Sequence, residues 1–142
     1  MKRKVRIYNT LTGRRVPRRK LERLGEMVLQ SKRRNGEVNL VFIDDRRMTQ
    51  LNREYRKRSG TTDVLSFNLS DNGEPLQGEI YISLPRAGKQ ATEFGHSVTR
   101  EILKLACHGF LHLCDVHHPD KKSRRQMLAA EQRFLKRLEA ER

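Results

Sequence analysis

Four of the five histidines in this chain fall between positions 108 and 118, in the run His108-Gly109-Phe110-Leu111-His112-Leu113-Cys114-Asp115-Val116-His117-His118. Residues four apart on a helix face the same way, so His108 and His112 can offer two imidazoles to one ion. A turn after Asp115 can return a third imidazole, from His117 or His118; spacing alone does not choose between them. Three protein ligands leave a coordination position open to water, the arrangement of a catalytic rather than a structural zinc site. Metal-bound water reaches a pKa near ~7 and supplies hydroxide at neutral pH. The expected cofactor is one divalent ion, with zinc first and other imidazole-binding metals after it. A single helical histidine ordinarily makes plain hydrogen bonds. Two on one turn of an apolar helix are costly to bury without such a purpose.

The neighbouring residues limit the chemistry. In the zinc-peptidase helix, His-Glu-x-x-His, the glutamate after the first histidine is the general base. Here Gly109 holds that place, so peptidase chemistry loses its base. Glycine inside a helix costs up to ~1 kcal/mol, which points to close packing or ligand access. Cys107 and Cys114 stand seven residues apart on the same predicted helix, about 10 Å along its axis and too far for a disulfide. Neither shares the face of His108 and His112. Both read as core residues, although a structural zinc would recruit one of them as a fourth ligand.

The elements around this segment follow from hydropathy period and turn residues. Strands are expected at Val5–Asn9, Val38–Ile43, Thr62–Phe67 and Gly78–Ser83, with the second, β-branched and mostly apolar, placed centrally. A helix runs from Pro17 to about Arg34 with Leu21, Leu24, Val28 and Leu29 on one face. Another begins after Asp44 or Asp45, carries Met48, Leu51 and Tyr55, and ends near Lys57 before Ser59-Gly60. Pro85 starts a helical region. Ser97 caps the histidine helix, which stops near Asp115. Pro119 opens a last helix with Met127, Leu128, Phe134, Leu135 and Leu138 as its stripe. The expectation is one α+β domain over 1–142, with about four strands in a mixed sheet and about four helices.

The 142 residues include 31 Lys plus Arg against 17 Asp plus Glu, a net charge of +14. Such a surplus attracts polyanions and releases their counterions, so nucleic acid is the leading partner class. The basic patches are Arg14-Arg15, Arg18-Arg19-Lys20, Lys32-Arg33-Arg34 and Arg56-Lys57-Arg58. With only eight aromatic residues in the chain, three Tyr and five Phe, backbone contacts rather than extensive base stacking should dominate. No apolar run reaches membrane-spanning length, and no apolar signal core follows the basic N-terminus, so a cytoplasmic protein is expected.

The motif His108-Gly109-x-Leu111-His112-Leu113 with a histidine ten residues after the first resembles the signature of the YbeY family of bacterial endoribonucleases and rRNA maturation factors. Leu51-Asn52-x-x-Tyr55-Arg56, Thr62-Asp63-Val64-Leu65-Ser66-Phe67, Gly78-Glu79-Ile80-Tyr81-Ile82-Ser83 and Gly95-His96-Ser97 through Glu101 extend the resemblance over about residues 38 to 135. The resemblance implies a metal-dependent, single-strand-selective endoribonuclease of rRNA maturation, notably at the 3′ end of small-subunit rRNA, and of RNA quality control. It places the metal ligands at His108, His112 and His118 and a functional arginine at Arg56. The family's Gly-x-Asp-His is replaced here by Asp115-Val116-His117-His118, which leaves the general base open: Asp115, His117 or neither. The competing expectations are an RNA-binding ribosome-assembly protein with a structural zinc and, further off, a zinc peptidase.

Overall fold

The computed structural model describes residues 2–71, 73–114 and 121–141, except for the side chains of 121–123. The elements are β1 (Arg3–Asn9), α1 (Arg18–Ser31), β2 (Gly36–Ile43), α2 (Asp45–Arg56), β3 (Val64–Asn68), β4 (Leu76–Ser83), α3 (Leu84–Phe94), α4 (Val98–Cys114) and α5 (Lys121–Ala140). The sheet has the order β1-β2-β4-β3. β1 and β4 both run parallel to β2, and β3 closes one edge antiparallel to β4. Parallel neighbours need a crossover, which α1 supplies between β1 and β2. The expected mixed α+β sheet is present, with β2 inside it. Five helices stand among the described residues rather than about four.

The additional helix is α3, a full element rather than a loose helical region. Ser83 Oγ accepts from Arg86 N at 3.2 Å at its start, and Gly95 ends it with φ 71°. Asp44, not Asp45, caps α2, accepting from Arg47 N at 2.8 Å, and Ser97 Oγ accepts from Arg100 N at 3.1 Å at the head of α4. β2 and β4 begin two residues earlier than their apolar runs, because Gly36 pairs with Leu76 in the parallel ladder. β3 begins at Val64 rather than Thr62, where Asp63 instead makes a joint: Oδ1 accepts from Val64 N at 2.8 Å and Oδ2 from Gln90 Nε2 at 3.3 Å. Pro119, the expected opener of the last helix, lies outside the described residues.

The sheet separates two apolar clusters. Val38, Leu40 and Phe42 of β2 and Ile80 and Ile82 of β4 point into the main core, with Leu24 and Val28 of α1, Ile102 and Phe110 of α4 and Phe134 of α5. Ile43, Met48, Leu51 and Leu65 form a second cluster beneath α2, with Val41, Phe67 and Tyr81 packed against it. α4 is apolar almost all round, as a helix buried on most sides must be. It touches α1, α3, α5, β3 and β4.

Two glycines let α4 lie directly on the sheet. A Cβ on Gly109 would stand 2.8 Å from Ile80 Cγ2 and 3.2 Å from Ser66 Oγ, and one on Gly78 would stand 2.6 Å from Leu113 Cδ1. Of the two roles open to Gly109, close packing is the one seen. The far end of the helix is held by Arg34, whose Nη1 donates to the Cys114 carbonyl at 3.2 Å. A guanidinium there also suits the negative end of the helix dipole. This basic residue therefore serves the fold as well as the surface charge.

Gly109→Ala should gain up to ~1 kcal/mol of helix propensity and lose ~1–3 kcal/mol to overpacking against Ile80. The expected outcome is a net destabilisation in denaturant unfolding. The loss should shrink when Ile80→Ala is combined with it, as coupling between touching residues requires.

Candidate metal centre

α4 carries His108 and His112 one turn apart, beside the strip that Gly109 lays on the sheet. Both are partly exposed. Their ring centroids are 4.3 Å apart with the planes at 62°. The helix thus brings two imidazoles of the expected set together, edge toward face. Nδ1 of His108 lies 2.5 Å from Oε1 of Glu131, a residue of α5 that is 6% exposed. The His108 side chain itself remains 42% exposed. One ring nitrogen is therefore engaged inside the protein, and the other is left for an outside partner.

This donor set fits a divalent transition metal. Paired imidazoles suit zinc and its neighbours, and a ligating histidine usually has its second nitrogen held by a carboxylate or carbonyl. Among the described residues no cluster of three His, Cys, Asp or Glu side chains closes around one point. His118, the third expected ligand, lies outside the described residues, as do Asp115 and His117, the residues left open for proton relay. Cys107 is fully buried in the core. Burial first, and the negative charge of Glu131 second, push its thiol up to about 12. It is a protonated packing residue, as its place on the helix implied.

Arg56 does not join the histidines. It ends α2, the helix over the second apolar cluster, whereas α4 packs on the opposite face of the sheet. Its guanidinium is exposed, with Arg53, Lys57 and Arg58 exposed around it, and it makes no hydrogen bond or ion pair among the described residues. The backbone that presents it is firmly built. Lys57 takes a left-handed conformation at φ 54° and donates to Asn52 O. Asn52, buried, donates from Nδ2 to Gly60 O at 3.1 Å. Tyr55, 64% exposed, sets its ring edge-on to Phe67 at 5.4 Å, and Phe67 meets Tyr81 at 5.9 Å. α2 leads through residues 57–63 into the edge strand β3, which α4 also touches.

Two further polar groups need an account. His96 Nε2 lies 2.6 Å from Oε1 of Glu101, a wholly buried carboxyl that Lys104 Nζ approaches at 3.5 Å. This cluster ties the α3–α4 corner and stands two helical turns before His108. Within the motif residues 95–101, His96 and Glu101 brace this corner and Ser97 caps α4. At the opposite end of α4, a cleft of about 570 Å³ is lined by residues that include Arg33, Arg34, Asn68, Asp71, Leu113 and Cys114. Glu131 was missed by sequence reasoning. The signal was present, because it sits four residues after Met127 and three before Phe134, on an otherwise apolar stripe.

The fold and site define an α+β domain whose central helix, laid on a mixed sheet, presents a pair of imidazoles, one of them held from a second helix. The sequence model of the Endoribonuclease YbeY family matches residues 6–139. Proteins named Endoribonuclease YbeY are similar to this chain: that of Geobacillus thermodenitrificans is 42% identical over 113 residues, 72% of each chain. That of Desulforamulus reducens is 43% identical over 112 residues, 73% of each. That of Bacillus cereus is 36% identical over 126 residues, 81% of this chain and 80% of its own. The solution structure of TM1509 from Thermotoga maritima superposes with a TM-score of 0.68 at 25% identity, over 94% of this chain and 88% of that one. The chain belongs to the YbeY endoribonuclease family. No helix among the described residues is long and apolar enough to cross a membrane.

The Cys107 environment gives a direct check. In the folded protein at pH 8, Cys107 should resist alkylation by iodoacetamide, and it should react at the rate of an ordinary thiol once denatured. Mass spectrometry of the modified peptide reads the difference.

Proposed function

We propose that this protein is a metal-dependent endoribonuclease, selective for single strands, that acts in maturation of the small-subunit rRNA 3′ end and in RNA quality control. The observation that carries the reading is the facing pair His108 and His112, with the inner nitrogen of His108 engaged by Glu131, in a chain of the YbeY family. His108, His112 and His118 would hold one divalent ion, zinc first. When bound, such an ion activates a water and offsets charge on a phosphate oxygen. The remaining work falls to the chain's own side chains.

Arg56 would grip a phosphate oxygen of the strand, as a planar guanidinium suits. Because it stands across the sheet from α4, it would hold the strand at a distance from the histidines, along the β3 side. Tyr55 beside it offers one exposed ring for a base. The net charge of +14 supplies the attraction that brings RNA to this surface. The partners on this reading are single-stranded RNA and rRNA within ribosomal subunits, in the cytoplasm. A peptidase reading has no support at the residue after His108, since Gly109 is packed against Ile80 and carries no base. A structural zinc closed by Cys107 would require drawing a buried, protonated thiol out of the core.

The decisive experiment combines metal analysis with cleavage of a single-stranded RNA and of a peptide library. Wild type should carry about one divalent ion per chain and cleave the RNA alone. Chelation or His112→Ala should abolish cleavage, and metal-free wild type that still cleaves RNA would sink the proposal.

Arg56→Glu should lower RNA cleavage by about 10- to 100-fold, roughly 1.4–2.7 kcal/mol of transition-state stabilisation, with metal content unchanged. Full cleavage by this variant removes Arg56 from the mechanism. Binding of an uncleaved oligoribonucleotide should weaken steeply with salt, at about 0.7 logarithmic units per phosphate contact for single strands. A flat response would exclude an electrostatic interface.

A further inference from the structure

Glu131 sits among Ala130, Phe134 and Leu138, the buried apolar residues of α5. Nothing in that packing calls for a carboxyl, and burying one costs several kcal/mol unless it is paired. Its partner is His108, with Oε1 2.5 Å from Nδ1. An ionised carboxylate has no proton to give and only accepts. A carboxylate accepting at Nδ1 pairs with the imidazole hydrogen on that nitrogen, which in a neutral ring leaves Nε2 with its lone pair. A neutral imidazole free in water prefers the opposite arrangement, with the proton on Nε2, where it blocks that nitrogen as a ligand.

We infer that Glu131 is a positioning residue that holds His108 in the Nδ1–H tautomer with Nε2 directed outward, and that it thereby sets the affinity of the histidine pair for a divalent cation. The inference deepens the proposed function and rests on its reading of the pair as a metal site. Side chains from two helices meet in this contact, so cation binding and the docking of α5 on α4 are linked. A ligand that favours the aligned ring stabilises the packing that aligns it. The ring orientation is fixed from both sides: by α4, which Gly109 seats on Ile80, and by α5, which enters the main core through Phe134 and Leu138.

The test uses the full chain and Glu131→Gln, which keeps the shape of the side chain while giving it N–H groups that can donate to Nδ1. Long-range ¹⁵N–¹H spectra of metal-free protein, above the pH at which the imidazoles are neutral, report the tautomer of His108. Wild type should show Nδ1–H at His108, and Glu131→Gln should move it toward Nε2–H. Zinc affinity, measured by competition with a chelating dye, should fall by about 10- to 100-fold in the variant, the usual effect of removing such a partner. Glu131→Asp should recover part of the loss. Wild-type protein with His108 as Nε2–H overturns the inference whether or not the variant folds. An unchanged tautomer with zinc affinity within twofold of wild type in Glu131→Gln overturns it too. Wild type that shows Nδ1–H yet binds no zinc sinks the metal reading and leaves the tautomer assignment standing, so the two failures are distinguishable.

Discussion

The contact on which the rest of the molecule depends is the absence of a side chain where α4 meets β4. At Gly109 the helix backbone comes so near Ile80 that a methyl group would overlap it, and at Gly78 the strand backbone comes equally near Leu113. These two omissions lie on opposite partners, one on the helix and one on the strand, so the two surfaces interlock. Interiors are packed as tightly as organic crystals and do not absorb an extra carbon without displacement. The helix is therefore held close against the strand. The directions in which His108 and His112 leave it are fixed with it. Lateral neighbours follow, because α1, α3 and α5 must fit around a helix already seated.

Buried and half-buried polar groups form the joints of this framework. Asp63 links the start of β3 to α3, and Ser83 Oγ donates to Asp45 Oδ1 at 2.6 Å, tying the end of β4 to the head of α2. Asn52 secures the segment after α2, and Glu101 secures the α3–α4 corner through His96. A buried hydrogen bond adds only ~1 kcal/mol net, yet leaving one of these groups unpaired costs more. The pairings thus select one arrangement of helices over close alternatives. Among the motif residues before His108, Asn52, Asp63, Ser83 and Glu101 form these joints.

The division explains what could be read from the sequence. Apolar period located all four strands and the stripe of α1, because burial on one face leaves a repeating mark. The cap at Ser97 was visible from residue type, and that of α2 was narrowed to Asp44 or Asp45. Strand starts at Gly36 and Leu76 were not, since they depend on pairing between segments forty residues apart in the chain. The imidazole pair was legible from its four-residue spacing, which a helix converts directly into proximity. The relation of Arg56 to that pair was not legible. Motif order says nothing of which sheet face a helix covers, and α2 covers the face away from α4. Glu131 was written in the sequence as a charge interrupting an apolar stripe, but only the packing of α5 on α4 names its partner.

The order β1-β2-β4-β3 leaves two strands at the borders of the sheet, with no further strand beside either among the described residues. Such borders invite a strand from another molecule, and long flat ones nucleate aggregates. Here one border is only the five residues of β3, and the other carries Lys4 and Arg6 at alternate positions of β1, with Lys2 and Arg3 at its entrance. A second copy approaching along β1 would have to bring its own like charges into register. The cationic excess thus has a colloidal side: a net charge of +14 opposes self-association of the molecule.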